Sequence, residues 1–323
     1  MSDVETLLRD EILHNGPVSF HRFMDVALYH PQFGYYRSGR DPFGKSGDFY
    51  TAEQIQPVFG ILIATRIASL FDEMGMPEDR TVVELGAGRG EMTDAFTQFR
   101  YVPIDKSGTM PDRFSGVVFL NEFFDALPVH VAVRRGATWR DMNVDWQYGK
   151  FVWREGGEAK PEVGAYLDQH TDFAGDGCIF EANLDALQWL EEIARRLDRG
   201  YIMAIDYGYT ERELIRFPQG TLMSYHRHTA SEDVLAAPGA RDITAHVNFT
   251  ALREHATRLG FETIRFESLA RTLLDAGEKD QFAAALAGDS EKEQMRRRLQ
   301  LKTLLYGMGE TFRTLLLRKA GHQ

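Results

Sequence analysis

One short segment does most to limit what this chain can fold into. Thr81-Val-Val-Glu-Leu85 is an apolar run of strand length that breaks at once into Gly86-Ala-Gly-Arg-Gly90. Glycines at alternate positions let a backbone turn sharply and let a ligand come close to the main chain, which suits a buried strand feeding a helix. The rhythm then repeats. Residues 101–105, 116–120 and 200–206 read as strands, and helical spacing recurs at 184–197 and 250–259. Residues 261–267 and 312–319 read as further strands, separated by a helical stretch over 270–305. Alternation of this kind predicts an α/β chain built on a doubly wound, Rossmann-like parallel sheet.

Two regions depart from that rhythm. Before residue 76 the chain reads as helices at 4–13, 20–27 and 57–74, with Ser19 as an N-cap, around a loop at 29–51 rich in glycine, proline and aromatic residues. A loop of that length in a compact domain is usually functional. Residues 131–153, rich in Val, Trp and Tyr with turns at Arg135-Gly136 and Tyr148-Gly149, read as an antiparallel insertion. The expected organisation is therefore an N-terminal helical and loop segment, 1–75, and a main domain, 76–323, carrying a β-rich insertion at about 131–170.

Charge and composition exclude several classes. Lys and Arg number 37 against 48 Asp and Glu, a net charge of −11, which argues against wholesale binding of a nucleic-acid backbone. With 43% hydrophobic and 26% charged residues the chain is globular in composition, and no apolar run is long enough to span a bilayer. The single cysteine, Cys178, rules out an intrachain disulfide or a multi-thiolate zinc site. The start of the chain reads as neither a signal nor a transit peptide, and a cytoplasmic location is expected.

Several motifs carry chemistry. Glu84 precedes the glycine turn, where a carboxylate suits a ligand bearing an ammonium group, as the methionine half of S-adenosyl-L-methionine does. Asp105, ending the next strand, can accept hydrogen bonds from ribose hydroxyls. Glu84, Gly86, Ala87, Gly88, Gly90 and Asp105 thus form the expected cofactor site. Asn121-Glu122-Phe-Phe-Asp125-Ala-Leu-Pro128 follows a strand at the sheet edge where open α/β sheets bind ligands, so Asn121, Glu122 and Asp125 are the expected catalytic residues. The competing reading is a helix N-terminus capped by Asn121. Asp206-Tyr-Gly208 ends a strand at the same edge, and His246 could serve proton transfer or simply a loop. Gly39-Arg-Asp-Pro-Phe-Gly-Lys45-Ser46 matches a phosphate-binding loop in letters, but it lacks the preceding strand and following helix that such a loop requires. His226-Arg-His228 lacks metal-ligand spacing, and no metal is expected.

These motifs, in this order, resemble the MidA-like family of S-adenosylmethionine-dependent methyltransferases. The resemblance rests on Gly16-Pro-Val-Ser-Phe20, Tyr29-His-Pro-Gln-Phe-Gly-Tyr-Tyr36, Gly47-Asp-Phe-Tyr-Thr-Ala52, the glycine turn, Asn121 to Pro128, Asp206-Tyr-Gly208, Gly220-Thr-Leu222, residues 242–249 and Gly307-Met-Gly309. It implies a class I methyltransferase fold and S-adenosyl-L-methionine as cofactor, with Gly47, Asp48 and Asn121 joining the cofactor contacts. Mitochondrial members are complex I assembly factors that methylate a protein arginine, which implies a protein acceptor and leaves a homodimer open. Two readings stand beside it: a small-molecule O- or N-methyltransferase, and a non-catalytic assembly factor. The chain departs from the family twice. Gln54 stands where the family has glutamate, and a neutral amide cannot pair with a guanidinium as a carboxylate does. The link between Asp105 and Leu120 is also too short for the family's further helix and strand.

Overall fold

The computed structural model describes residues 2–37, 51–75, 79–105 and 108–321. It divides into two compact units, each assembled from three stretches of chain rather than separated by one cut near residue 75. One unit holds Thr51–Phe123, Trp189–Gly208 and Leu252–Gln323; the other holds Met1–Tyr50, Phe124–Gln188 and Tyr209–Ala251.

The first of these carries the α/β sheet. Its strands lie in the order Phe261–Ser268, Phe312–Lys319, Leu197–Tyr209, Phe114–Asn121, Thr81–Leu85, Arg100–Ile104. The last four named are mutually parallel, whereas Phe312–Lys319 runs antiparallel to both of its neighbours. Val82, Val83, Val117, Val118 and Phe119 are wholly buried, as expected of central parallel strands covered on both faces. The helix Val58–Glu73 supplies one cover: Phe59, Leu62, Ile63, Ile67 and Phe71 pack into the same cluster as Val82, Phe119 and Met203. Burying each such side chain contributes roughly 1.5–3 kcal/mol. The sheet path ends at Arg100–Ile104, and among the described residues no further strand pairs with that edge.

Two local expectations are corrected. No regular helix follows the glycine turn. Residues 88–98 form successive turns, held by Thr93 N–H donating to the Gly90 carbonyl (3.0 Å) and Phe96 N–H to that of Met92 (3.0 Å). Gly88 and Gly90 sit at φ of +51° and +79°, outside helical space, and Met92 and Phe96 are wholly buried. The stretch 270–305 is also interrupted, into Leu269–Gly277, Ala283–Leu286 and Glu291–Thr303, because Gln281 and Phe282 take positive φ and Ser290 starts the last helix as its N-cap.

The other unit is antiparallel. Thr138–Gln147 pairs with His130–Arg135 and with Lys150–Glu158, and His130–Arg135 pairs on with Ile179–Ala182. Both turns read from the sequence are two-residue hairpins, fixed by the pairs Arg135↔Thr138 and Gln147↔Lys150. Helices Asp3–Asn15 and Phe20–Tyr29 bury Leu8, Phe20, Phe23 and Met24 in one cluster with Val144 and Phe151. Ser19 caps the second helix by accepting from the Arg22 N–H (3.2 Å). No helix among the described residues is long and apolar enough to cross a membrane.

Candidate active site

The parallel register brings most of the expected residues to one end of the sheet. Leu85 lies level with Ile104 on one side and Leu120 on the other, and Asn121 lies level with Ile205. Glu84, the glycine turn, Asp105, Asn121, Glu122 and Asp206 therefore all belong to the carboxyl ends of adjacent strands, where open α/β sheets bind their ligands. The turn is tied down by the Gly86 and Ala87 N–H groups, both donating to the Ile104 carbonyl at 2.8 and 3.1 Å. Gly86 has φ of +77°, and a Cβ there would stand 3.0 Å from the Phe123 ring, so the position admits little but glycine. Asp105 follows Ile104 directly and is exposed, free to meet a ligand hydroxyl.

Glu122 settles one of the alternatives left by the sequence. No helix begins at Asn121; the chain after it runs on through turns and loop to the next strand at His130. Glu122 instead has φ of +50°, a left-handed conformation that a non-glycine residue adopts at a cost of about 1–2 kcal/mol. Strain of this kind collects at functional sites. Its backbone N–H extends the sheet to the Ile205 carbonyl (2.9 Å), and Oε1 accepts from Ala52 N–H and Asn121 Nδ2, each at 3.2 Å.

That bond from Ala52 brings in residues the motif reading missed. The turn Ala52–Gln54 carries Glu53, 6% exposed, to a place where the Glu84 carboxyl acts on it. Burial, reinforced by Glu84, Glu122 and Glu91, pushes the Glu53 carboxyl well above the usual carboxylate range. Burial likewise raises Glu84 to about 7, opposed by a hydrogen bond from the Tyr101 hydroxyl and by Glu53. No spacing rule marks Glu53 or Tyr101, because each reaches the glycine turn only through the tertiary fold. Gln54 and Asn121 complete the set. Both amide atoms of Gln54 and the Asn121 Oδ1 are buried with no hydrogen-bond partner among the described residues, a costly state unless a ligand satisfies them.

The remaining candidates fall elsewhere. Gly47, Asp48 and the phosphate-loop lookalike at 39–46 lie outside the described residues. Asp125 belongs to the antiparallel unit, where its carbonyl accepts from Ala245 N–H (3.0 Å) and its charge acts on Tyr36. Three other motifs of that unit have structural explanations. Arg227 and His228, both at positive φ, form the two-residue turn closed by the pair His226↔Thr229. Asp242 accepts from the Tyr36 hydroxyl at 2.7 Å and from Ile243 N–H at 3.0 Å. Gly220-Thr-Leu222 wraps the buried Glu181 carboxylate, which accepts from Thr221 N–H (2.7 Å), Leu222 N–H (3.3 Å) and Thr221 Oγ1 (3.2 Å). His246 is half-buried beside Tyr209, and its partial removal from water lowers its pKa to about 4 and keeps the ring neutral.

A parallel sheet with one antiparallel strand, a glycine turn and buried carboxylates at its carboxyl edge define a nucleotide-cofactor α/β enzyme of the methyltransferase type. The profile of the S-adenosyl-L-methionine-dependent methyltransferase family matches residues 97–267, more than half of the chain, and the protein belongs to that family. Among curated proteins it is similar to the mitochondrial protein arginine methyltransferase NDUFAF7 homolog of Drosophila melanogaster, 27% identical over 78% of this chain and 70% of that one. The human mitochondrial protein arginine methyltransferase NDUFAF7 is 27% identical over 76% and 67%. A Burkholderia thailandensis protein crystallised with S-adenosyl-homocysteine superposes with a TM-score of 0.88 at 29% identity, over 99% of this chain and 92% of that one.

The protein is thus an enzyme, a methyltransferase that uses S-adenosyl-L-methionine. The expectation of a cytoplasmic location is corrected by the same comparison, since the curated relatives are named as mitochondrial. The residues at the sheet edge fit the cofactor. Gly86 leaves room beside the main chain, the carboxyls of Glu53 and Glu84 suit an ammonium group, and the orphaned atoms of Asn121 and Gln54 await partners.

Proposed function

We propose that this methyltransferase modifies a protein side chain, with arginine as the acceptor. The printed names of its curated relatives support an arginine acceptor. The observation that carries the reading is Glu122, a carboxylate held in a strained conformation at the sheet edge by Ala52 and Asn121. When bound, S-adenosylmethionine supplies an electrophilic methyl carbon open to in-line displacement. The protein then has two tasks, to aim the acceptor nitrogen and to take up the proton it sheds. Glu84, Gly86, Ala87, Gly88, Gly90, Asp105 and Asn121 hold the cofactor, assisted by Gly47 and Asp48. Glu122 orients the acceptor and receives its proton, and Asp125 is the second candidate for that role.

Gln54 favours a second reading, transfer to a small molecule. Its buried amide stands where the resembling family has a carboxylate able to pair with a guanidinium. One experiment separates the two. The enzyme is incubated with methyl-labelled cofactor and host lysate, and label is sought in protein and in small metabolites. Label on protein, mapped to arginine by mass spectrometry, supports the first reading; label confined to metabolites establishes the second.

A further inference from the structure

We propose that a cavity in the antiparallel unit, lined by Tyr166, Glu181, Tyr209 and His246, is a binding pocket for the guanidinium group of an arginine side chain, in which Glu181 pairs the charge and the Tyr209 hydroxyl accepts one of the N–H groups. Every residue of its wall belongs to that unit. The inference stands whether or not arginine is also the group that is methylated.

Separate segments of chain build the cavity. The helix Pro161–His170 supplies Tyr166, the strand Ile179–Ala182 supplies Glu181, and the strand Leu197–Tyr209 ends in Tyr209. His246 lies in the link between the short strands Asp242–Thr244 and Val247–Asn248. Glu181 is fixed in place by Gly220-Thr-Leu222: Oε1 accepts from Thr221 N–H (2.7 Å) and Leu222 N–H (3.3 Å), and Oε2 from Thr221 Oγ1 (3.2 Å). Tyr209 is fixed by ring contacts, stacked on Phe217 with centroids 5.2 Å apart and tilted against His246 at 5.3 Å. Yet the Tyr209 hydroxyl has no hydrogen-bond partner among the described residues, although the residue is only 6% exposed. The Thr221 hydroxyl is already engaged, donating to Glu181 and accepting from His246 N–H (3.1 Å). A buried hydroxyl left in this state destabilises the fold, so a ligand that satisfies it is favoured.

The charge balance selects a cation. Glu181 is the one carboxylate in the wall, and no lysine or arginine lines it. Burial raises the Glu181 carboxyl, and the bonds from Thr221 and Leu222 oppose that by favouring the charged form. Tyr166 and Tyr209 titrate well above the ordinary phenol range and His246 at about 4, so none of the three brings a charge near neutral pH. The enclosed space is too small for a nucleotide or a whole amino acid and suits a head group whose stem stays outside. A guanidinium is flat, carries several N–H donors and lies well against aromatic rings, whereas a lysine ammonium is a compact, strongly hydrated charge.

The probes are three capped pentapeptides, with arginine, citrulline or lysine between paired glycines; citrulline keeps the shape of arginine and lacks its charge. Titration calorimetry should show the arginine peptide binding the parent about tenfold or more tighter than either of the others. Tyr209→Phe removes only the unpaired hydroxyl. It should weaken arginine binding about tenfold while the melting temperature of the free protein stays level or rises. Glu181→Gln keeps an acceptor for the Thr221 and Leu222 amides and should abolish the preference for arginine over citrulline. Three results each overturn the inference: no binding of the arginine peptide to folded parent, equal binding of citrulline or lysine, or arginine binding untouched by Tyr209→Phe. The cavity then holds an ordered water only. A fall in the melting temperature of Tyr209→Phe also overturns it, since the hydroxyl is then satisfied within the protein. None of these readouts uses methyl transfer, so their failure leaves the proposed acceptor standing, and label confined to metabolites leaves the pocket standing.

Discussion

Replacing Glu122 by glutamine removes a charge and a base while keeping the shape. Glutamine retains Oε1, so the bonds from Ala52 N–H and Asn121 Nδ2, both 3.2 Å in the parent, can persist. Their weakening from charge-assisted to neutral costs about 0.5–1 kcal/mol, partly offset by relief of repulsion, since Glu122 is among the charges that raise Glu53. Stability should therefore change by less than about 1 kcal/mol in urea unfolding. Turnover should fall by about a hundredfold, the usual range for lost general-base help and equivalent to about 2.7 kcal/mol of barrier. Glu122→Ala removes the oxygen that accepts both bonds and strands the Ala52 N–H, at about 1–3 kcal/mol of stability. Initial rates of labelled methyl transfer, cofactor affinity by calorimetry and unfolding curves together decide the matter. If Glu122→Gln turns over at the parental rate while Glu122→Ala loses activity only in proportion to its lost stability, Glu122 is a structural residue and Asp125 becomes the next candidate to test.

Four further outcomes are expected. Gly88→Val should abolish cofactor binding in calorimetry, because Gly88 has φ of +51°, where a branched side chain is strained, and it belongs to the proposed cofactor site; undiminished binding would place the cofactor elsewhere. Glu84 has its folded pKa raised from 4.5 to about 7, so the folded protein holds more protons than the unfolded one between those values. Its share of stability is full below the lower value and is lost as pH rises through the upper one, and Glu84→Gln should flatten that fall in the pH dependence of the melting temperature. Glu181→Ala should cost about 2–3 kcal/mol by leaving the Thr221 and Leu222 amides without their acceptor. Gly220→Ala should destabilise as well, since φ is +80° and the new Cβ would stand 2.3 Å from a Glu181 oxygen; unchanged urea midpoints would refute both.

Several features were legible because their causes are local. The strands Thr81–Leu85 and Phe312–Lys319 occupy the residues read from the sequence, and one hairpin turn falls at Tyr148-Gly149 as read while the other, Gly136-Ala137, lies one residue beyond Arg135-Gly136. Hydrophobic period and turn chemistry act over a few residues, so they can be read without the fold. The helix expected after Gly90 is replaced by successive turns over residues 88–98, entered through Gly88 and Gly90 at positive φ. The helix N-terminus considered at Asn121 was likewise absent, since Glu122 continues the hydrogen bonding of the sheet in a left-handed conformation.

The sequence by itself determined the class of fold, the strand that feeds the glycine turn and the family to which the chain belongs. Each is written in short runs whose physics is that of neighbouring residues. Only the tertiary structure decided the chemical setting at the sheet edge. Glu53 is separated from Glu84 by a whole helix, and Tyr101 from Glu84 by the glycine turn and the turns after it, yet the Tyr101 hydroxyl donates to Glu84 and the charge of Glu84 acts on Glu53. Whether a carboxyl is charged depends on what surrounds it and how far water is excluded, and those conditions exist only once distant segments have packed together.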